Sequence, residues 1–206
     1  AHFLPSKDDH EKSISQMGIS NTDKIIIYCN SDLISSARAW FQFLYFGHNP
    51  KLVSVLNGGM KKWKLENRKV TSLKTPVVPS KYKARENKNM IKVKYQIEEN
   101  IKKNEFTILD ARSKNRFLGL EPEPRKGVKG GSIEGSKSLP LSELVNIKDN
   151  TFLEKKKLKE IFNLKGINGN KIVMSCGSSV SASSLALAYS IINDEYMVKI
   201  YIGSWT

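Results

Sequence analysis

The stretch that most constrains this chain is Lys171-Ile172-Val173-Met174-Ser175-Cys176-Gly177-Ser178-Ser179-Val180-Ser181-Ala182, which runs into the small and apolar segment Ser183 to Tyr189. A β-branched run that ends in a cysteine, crosses small residues and enters a helical pattern predicts a strand, a tight loop and a helix N-terminus. Backbone N–H groups of residues 177 to 182 have no helical partner yet and are expected to converge on the sulfur, with the positive end of the helix dipole behind them. Such surroundings lower a cysteine pKa from about 8.5 into the range of roughly 3.5 to 7.5 and make it a nucleophile. The bland reading of the same residues, a buried cysteine closing a core strand, stays open at this point.

Upstream, strand-like and helix-like segments alternate. Lys24 to Asn30 reads as a strand, Ser36 to Tyr45 as a helix with Ala37, Trp40, Phe41, Leu44 and Tyr45 on one face, and Leu52 to Leu56 as a second strand. A helix-like stretch near Asp8 to Met17 precedes them, and Ala1 to Pro5 reads as neither a signal nor a transit peptide. The strand–helix–strand order implies parallel pairing. It recurs around Cys176: Asn30 stands six residues before Ser36 as Cys176 stands six before Ala182, and Gly58-Gly59 answers Gly203-Ser204. Two homologous halves are expected, with Asn30 at the nucleophile's position in the first and Cys29 one place early, as a core strand residue. Pro76, Pro79 and many charges mark a surface linker between the halves. The second half opens with Val93, Ile97 and Ile101 at helical spacing, then a strand, Phe106 to Asp110, at whose carboxyl end ligands gather in open α/β sheets. Leu158, Ile161 and Phe162 give a later helix stripe whose other face is lysine-rich.

The active-site segment Cys176-Gly-Ser-Ser-Val-Ser-Ala182 resembles that of the two-domain sulfurtransferases of the rhodanese superfamily, on the branch that takes 3-mercaptopyruvate as donor. Relatives specific for thiosulfate carry basic residues where Gly177 and Ser178 stand. The family's second loop glycine is Ser179 here, a strained substitution at a position needing positive φ. Arg116-Phe117 and Glu121-Pro-Glu-Pro-Arg125 are similar to the family's segment in which two arginines grip the donor's oxygens. The resemblance therefore implies Cys176 and Ser178 as catalytic, Arg116 and Arg125 as substrate-binding, and Gly177, Ser178, Ser179, Val180, Ser181 and Ala182 as the active-site loop. The bland reading of the arginines is ion pairing with Glu121 or Glu123; Arg112 is read as a structural partner of Asp110.

The fold this implies is α/β, with tandem rhodanese-like domains that are each a parallel sheet flanked by helices. Residues 1–70 would form an incomplete noncatalytic domain, 71–89 a linker and 90–206 the catalytic domain. By the same resemblance the sequence looks truncated at both ends, lacking an aspartate and a histidine that work with the loop serine. No metal and no organic cofactor are implied; the partners are a small anionic sulfur donor and a thiol acceptor such as thioredoxin. Alternatives are a thiosulfate sulfurtransferase and a noncatalytic persulfide carrier or interaction module. A related phosphatase would need one more loop residue and an arginine where Ala182 stands.

The formal charge of +14 raises the question of nucleic acid. Its lysines are spread along the whole length without an aromatic-interleaved stripe, so no nucleic-acid partner is expected, although the net field favours small anions. Two cysteines make no disulfide framework and fit a reducing compartment, read here as the cytoplasm. No apolar run reaches the roughly 18 residues of a membrane span.

Overall fold

The computed structural model describes residues 3–30, 33–167, 171–194, 196 and 198–205. Among these, the elements in chain order are α1 (Lys7–Gln16), β1 (Ile25–Ile27), α2 (Ile34–Tyr45), β2 (Val53–Val55), α3 (Gly59–Leu65), β3 (Ile91–Lys92), α4 (Lys94–Lys103), β4 (Thr107–Asp110), α5 (Lys114–Phe117), β5 (Lys137–Ser138), α6 (Lys155–Leu164), β6 (Ile172–Ser175), α7 (Ala182–Asn193) and β7 (Lys199–Tyr201). They form two parallel sheets, β1-β2 and β3-β7-β6-β4-β5.

Strand β6 is central in the larger sheet, and all four of its residues are buried. That explains its uninterrupted Ile-Val-Met-Ser run: a parallel strand covered on both faces has no polar alternation. Helix α7, which follows the cysteine loop, is buried from Ala182 to Ser190. Its alanines and serines let neighbours approach closely; it packs against α2, α6, β6 and β7. Helix α2 presents Ala37, Trp40, Phe41 and Leu44 among its buried residues. The α2–α7 contact joins the smaller sheet to the larger, and one apolar core runs without a break from Ile14 through Trp40 and Phe41 to Leu185 and Ile200.

Three expectations need correction. First, the segment between the sheets is exposed without a break only from residue 64 to 79. Beyond it the chain is strapped down: Ser80 N–H donates to Ser15 O, Arg85 N–H to Phe46 O and Asn87 N–H to Tyr45 O, while Tyr82 is buried. Second, Ile101 is 41% exposed, whereas Ile97 is in a core. Helix α4 is only ten residues long and is seated by Ile97 together with buried Asn100, whose side chain bonds the Phe106 backbone, rather than by an apolar stripe. Third, it is Cys29, not Asn30, that corresponds to Cys176. Ile27 pairs with Val55 and Met174 with Ile200. Two residues beyond Ile27 and Met174 stand Cys29 and Cys176; five beyond Val55 and Ile200 stand Met60 and Trp205. In both sheets the latter's N–H donates to the cysteine carbonyl at 2.9 Å. The same register places Gly59 opposite Ser204, and both have φ +52°. Counting from the helix misled because α2 begins at Ile34, two residues before the entry expected at Ser36; from the true starts, helix follows cysteine by five residues in one case and six in the other. Cys29 is half-buried and lies outside β1, with the Ser36 N–H 2.9 Å from its sulfur.

Candidate active site

Cys176 follows the last residue of β6 at the carboxyl end of the sheet, where the chain turns into α7. It is 1% exposed. The Ser178 N–H lies 3.4 Å from its Sγ, and the Ser204 hydroxyl 3.9 Å. The expected convergence of N–H groups on the sulfur is met by Ser178 among the described contacts. The Ser179 N–H instead donates to Ser204 Oγ at 2.7 Å, and those of Ser183 and Ser184 close turns onto Val180 and Ser181 carbonyls. Ser181 stands at the helix cap without a side-chain capping bond, and Ala182 begins α7.

Ser179 has φ +62° and is wholly buried. The left-handed conformation expected of a glycine at this position is therefore adopted by an L-residue, at a cost of roughly 1–2 kcal/mol. Its surroundings hold it there. Besides the Ser204 bond, its carbonyl accepts from Ser183 Oγ at 3.3 Å, and Arg38 Nη1 reaches its carbonyl at 3.3 Å and its hydroxyl at 3.4 Å.

Two arginines meet the loop at Gly177. Arg125 Nη1 donates to the Gly177 carbonyl at 3.4 Å. Arg116 Nη2 lies 2.8 Å from where a Cβ on Gly177 would stand, so only glycine lets the guanidinium come this close to the cysteine. Arg116 is anchored by Glu123, with bonds of 3.1 and 2.6 Å. Glu123 in turn accepts from Arg112 at 2.8 Å, and Arg112 grips both oxygens of Asp110 at the end of β4. Arg112 also donates to the Gly131 carbonyl and lies over the Trp205 ring. Burial raises the Glu123 carboxyl's pKa, but the bonds from Arg116 and Arg112 outweigh it and hold the group below the usual range. Burial likewise opposes the charge on Arg112, and its two carboxylate partners reverse the sign. Arg116 thus does pair with Glu123, as its bland reading had it, yet that pairing points it at the cysteine loop and leaves its side chain 22% exposed.

The structure gathers Cys176, Gly177, Ser178, Arg116 and Arg125 in one place. It brings Ser178 to the sulfur through its backbone. Sequence reasoning missed Arg38, Ser204 and the anchoring role of Glu123. Arg38 carries no local signal, being 141 positions from its contact; Ser204 was visible only as part of the Gly203-Ser204 pair that answers Gly58-Gly59. Beside the loop a cavity of about 450 Å3 is lined by Ser178 and Val180 together with Arg38, Ala39 and Gln42 of α2. Among the described residues no group of three His, Cys, Asp or Glu side chains is placed to hold a metal ion, and no helix is long and apolar enough to cross a membrane.

Comparison with known proteins places these features in context. The model of the rhodanese-like domain matches residues 1–66 and 94–206. A 3-mercaptopyruvate sulfurtransferase of Mus musculus is 34% identical over 209 residues, spanning 99% of this chain and 68% of the mouse protein. A thiosulfate sulfurtransferase of Bos taurus is 34% identical over 207 residues, spanning 98% and 68%. The crystal structure of SseA from Escherichia coli, described as showing the rhodanese fold and mechanism of 3-mercaptopyruvate sulfotransferases, superposes with a TM-score of 0.81. Its identity is 28%, and the match covers all of this chain and 75% of that one.

Proposed function

We propose, given that this chain belongs to the rhodanese-like family and is a sulfurtransferase, that its donor is 3-mercaptopyruvate and its nucleophile Cys176. The observation that carries this reading is the meeting of Arg116 and Arg125 at Gly177, directly after the cysteine. A planar guanidinium binds an α-keto carboxylate by two parallel hydrogen bonds, and its charge favours negative oxygen as it develops. Gly177 and Ser178 offer no side-chain cation to a doubly charged thiosulfate.

In the first half-reaction the Cys176 thiolate attacks the donor's sulfur. The S–S bond forms as the C–S bond breaks, and the electron pair leaves on the enolate of pyruvate, which takes a proton from water. Arg116 and Arg125 hold the carboxylate and the enolate oxygen, while the Ser178 N–H and Ser204 hydroxyl face the sulfur. In the second, an acceptor thiolate attacks the outer sulfur, the S–S bond breaks, and Cys176 returns as the thiolate. A reduced thioredoxin-like dithiol is the acceptor we propose, with cyanide as its substitute in an assay. In this reading the chain comprises a noncatalytic domain over 1–70, a linker over 71–89 and a catalytic domain over 90–206. The two free cysteines favour a reducing compartment, which we take as the cytoplasm.

Intact mass after incubation with 3-mercaptopyruvate, and in parallel with thiosulfate, tests the proposal. Wild type is expected to gain one sulfur from the former, reversibly by thiol, and Cys176→Ser to gain none. A faster gain from thiosulfate assigns the donor wrongly. No gain from either, in folded protein, removes the enzymatic reading and leaves a persulfide-independent interaction module.

A further inference from the structure

Arg38 stands on α2, in the half of the chain that lacks the candidate nucleophile, and is 8% exposed. A guanidinium taken out of water needs acceptors to replace it. Two of those it reaches are the carbonyl and hydroxyl oxygens of Ser179, in the cysteine loop. Burial lowers its hold on the proton, and Cys176 acts on it in the opposite sense, which places the sulfur within its electrostatic reach.

Ser179 needs such support. A buried L-residue at φ +62° persists only where its surroundings over-determine it. Ser204 fixes its N–H; Arg38 and Ser183 fix its carbonyl. The peptide preceding it carries Ser178, whose N–H is the backbone donor on the sulfur. Release of the Ser179 turn would swing that donor away.

We infer that Arg38 is a positioning residue of the sulfur site: from α2 it clamps the Ser179 turn in its left-handed conformation and thereby sets the Cys176 loop for sulfur transfer. The inference rests on the reading of Cys176 as nucleophile. Its consequence is that transfer in the second half depends on the docking of α2 against α7, which brings Arg38 to the loop.

A double-mutant cycle on the full chain tests it, with Arg38→Gln, Ser179→Gly and their combination. Glycine adopts the left-handed conformation without a clamp, so the loss from Arg38→Gln should largely vanish in the Ser179→Gly background. Two rates are followed: persulfide formation from 3-mercaptopyruvate, and alkylation of Cys176 by iodoacetamide, which needs no donor. Arg38→Gln alone is expected to slow both on the order of tenfold, the size of one charged hydrogen bond. In the Ser179→Gly background the same change should cost less than about threefold. Equal losses in both backgrounds, or no loss in either, overturn the clamp. If Arg38→Gln does not fold, Arg38→Lys, which keeps the charge without the fork, replaces it under the same criterion. A wild type that forms no persulfide while alkylation still follows the predicted pattern refutes the donor reading and not this one.

Discussion

Gly177→Ala probes the geometry on which the donor site rests. Gly177 does not lie in the left-handed region, so an alanine costs nothing there in backbone terms. Its Cβ would, however, stand 2.8 Å from Arg116 Nη2, against about 3.4 Å for ordinary contact, so the guanidinium must retreat by about 0.6 Å. It is not free to do so. Glu123 holds it at 2.6 and 3.1 Å and is itself buried and held by Arg112 at 2.8 Å. The retreat therefore stretches or breaks a charged hydrogen bond, worth about 1.5–3 kcal/mol. Spent on the arginine's position, that is roughly tenfold to hundredfold in kcat/KM for a carboxylate-bearing donor. The loss should fall mainly on KM, since Arg116 would grip the carboxylate in ground and transition states alike. Steady-state rates with 3-mercaptopyruvate and cyanide measure it, and the thermal midpoint checks that the fold is kept. A kcat/KM within twofold of wild type would refute the placement of Arg116 beside the reacting sulfur.

Three further outcomes are expected. Arg112→Leu leaves the Asp110 carboxylate buried without its arginine and Glu123 with Arg116 alone, and should cost about 3–5 kcal/mol in urea unfolding at neutral pH; the arginines hold the Glu123 carboxyl below its usual range, so its share of the deficit should shrink on acidification, and a deficit independent of pH would contradict the pairing. His10 is stacked on Phe46 and its Nε2 has no hydrogen-bond partner among the described residues; burial lowers its pKa from 6.5 to about 4, against the opposing charge of Glu11. The unfolded chain thus binds this proton at higher pH than the folded one, so stability is full above 6.5, falls toward 4 by up to roughly 3 kcal/mol, and is flat below; denaturation curves of His10→Phe across that window should lose this slope. Ser178→Lys puts a cation next to the sulfur and should raise the rate with thiosulfate relative to 3-mercaptopyruvate, as donor competition would measure; an unchanged ratio would show that the loop's charge does not select the donor.

The alternation of strands and helices was legible in the sequence because it is written locally, in β-branched runs, helical spacing and small-residue loops. The placement of Cys176 at a strand's carboxyl end followed from the same local pattern, and the left-handed turn at Ser179 from a departure from the family's glycine. Arg116 and Arg125 were found through the resemblance of the loop that carries them.

What the sequence left open depends on register and docking. Whether Cys29 or Asn30 matches Cys176 is fixed by pairing of β1 with β2 and β6 with β7, since the two helices start five and six residues after equivalent cysteines. Whether Glu123 competes with the donor for Arg116 or aims it is decided by burial, with Arg112 holding the carboxylate from its other side. Arg38 reaches Ser179 only because α2 packs on α7. The sequence by itself determined the nucleophile's local setting, for strand, loop and helix entry are short-range preferences of neighbouring residues. Only the tertiary structure decided which distant cations and hydroxyls surround it, because their positions depend on long-range packing that no local pattern encodes.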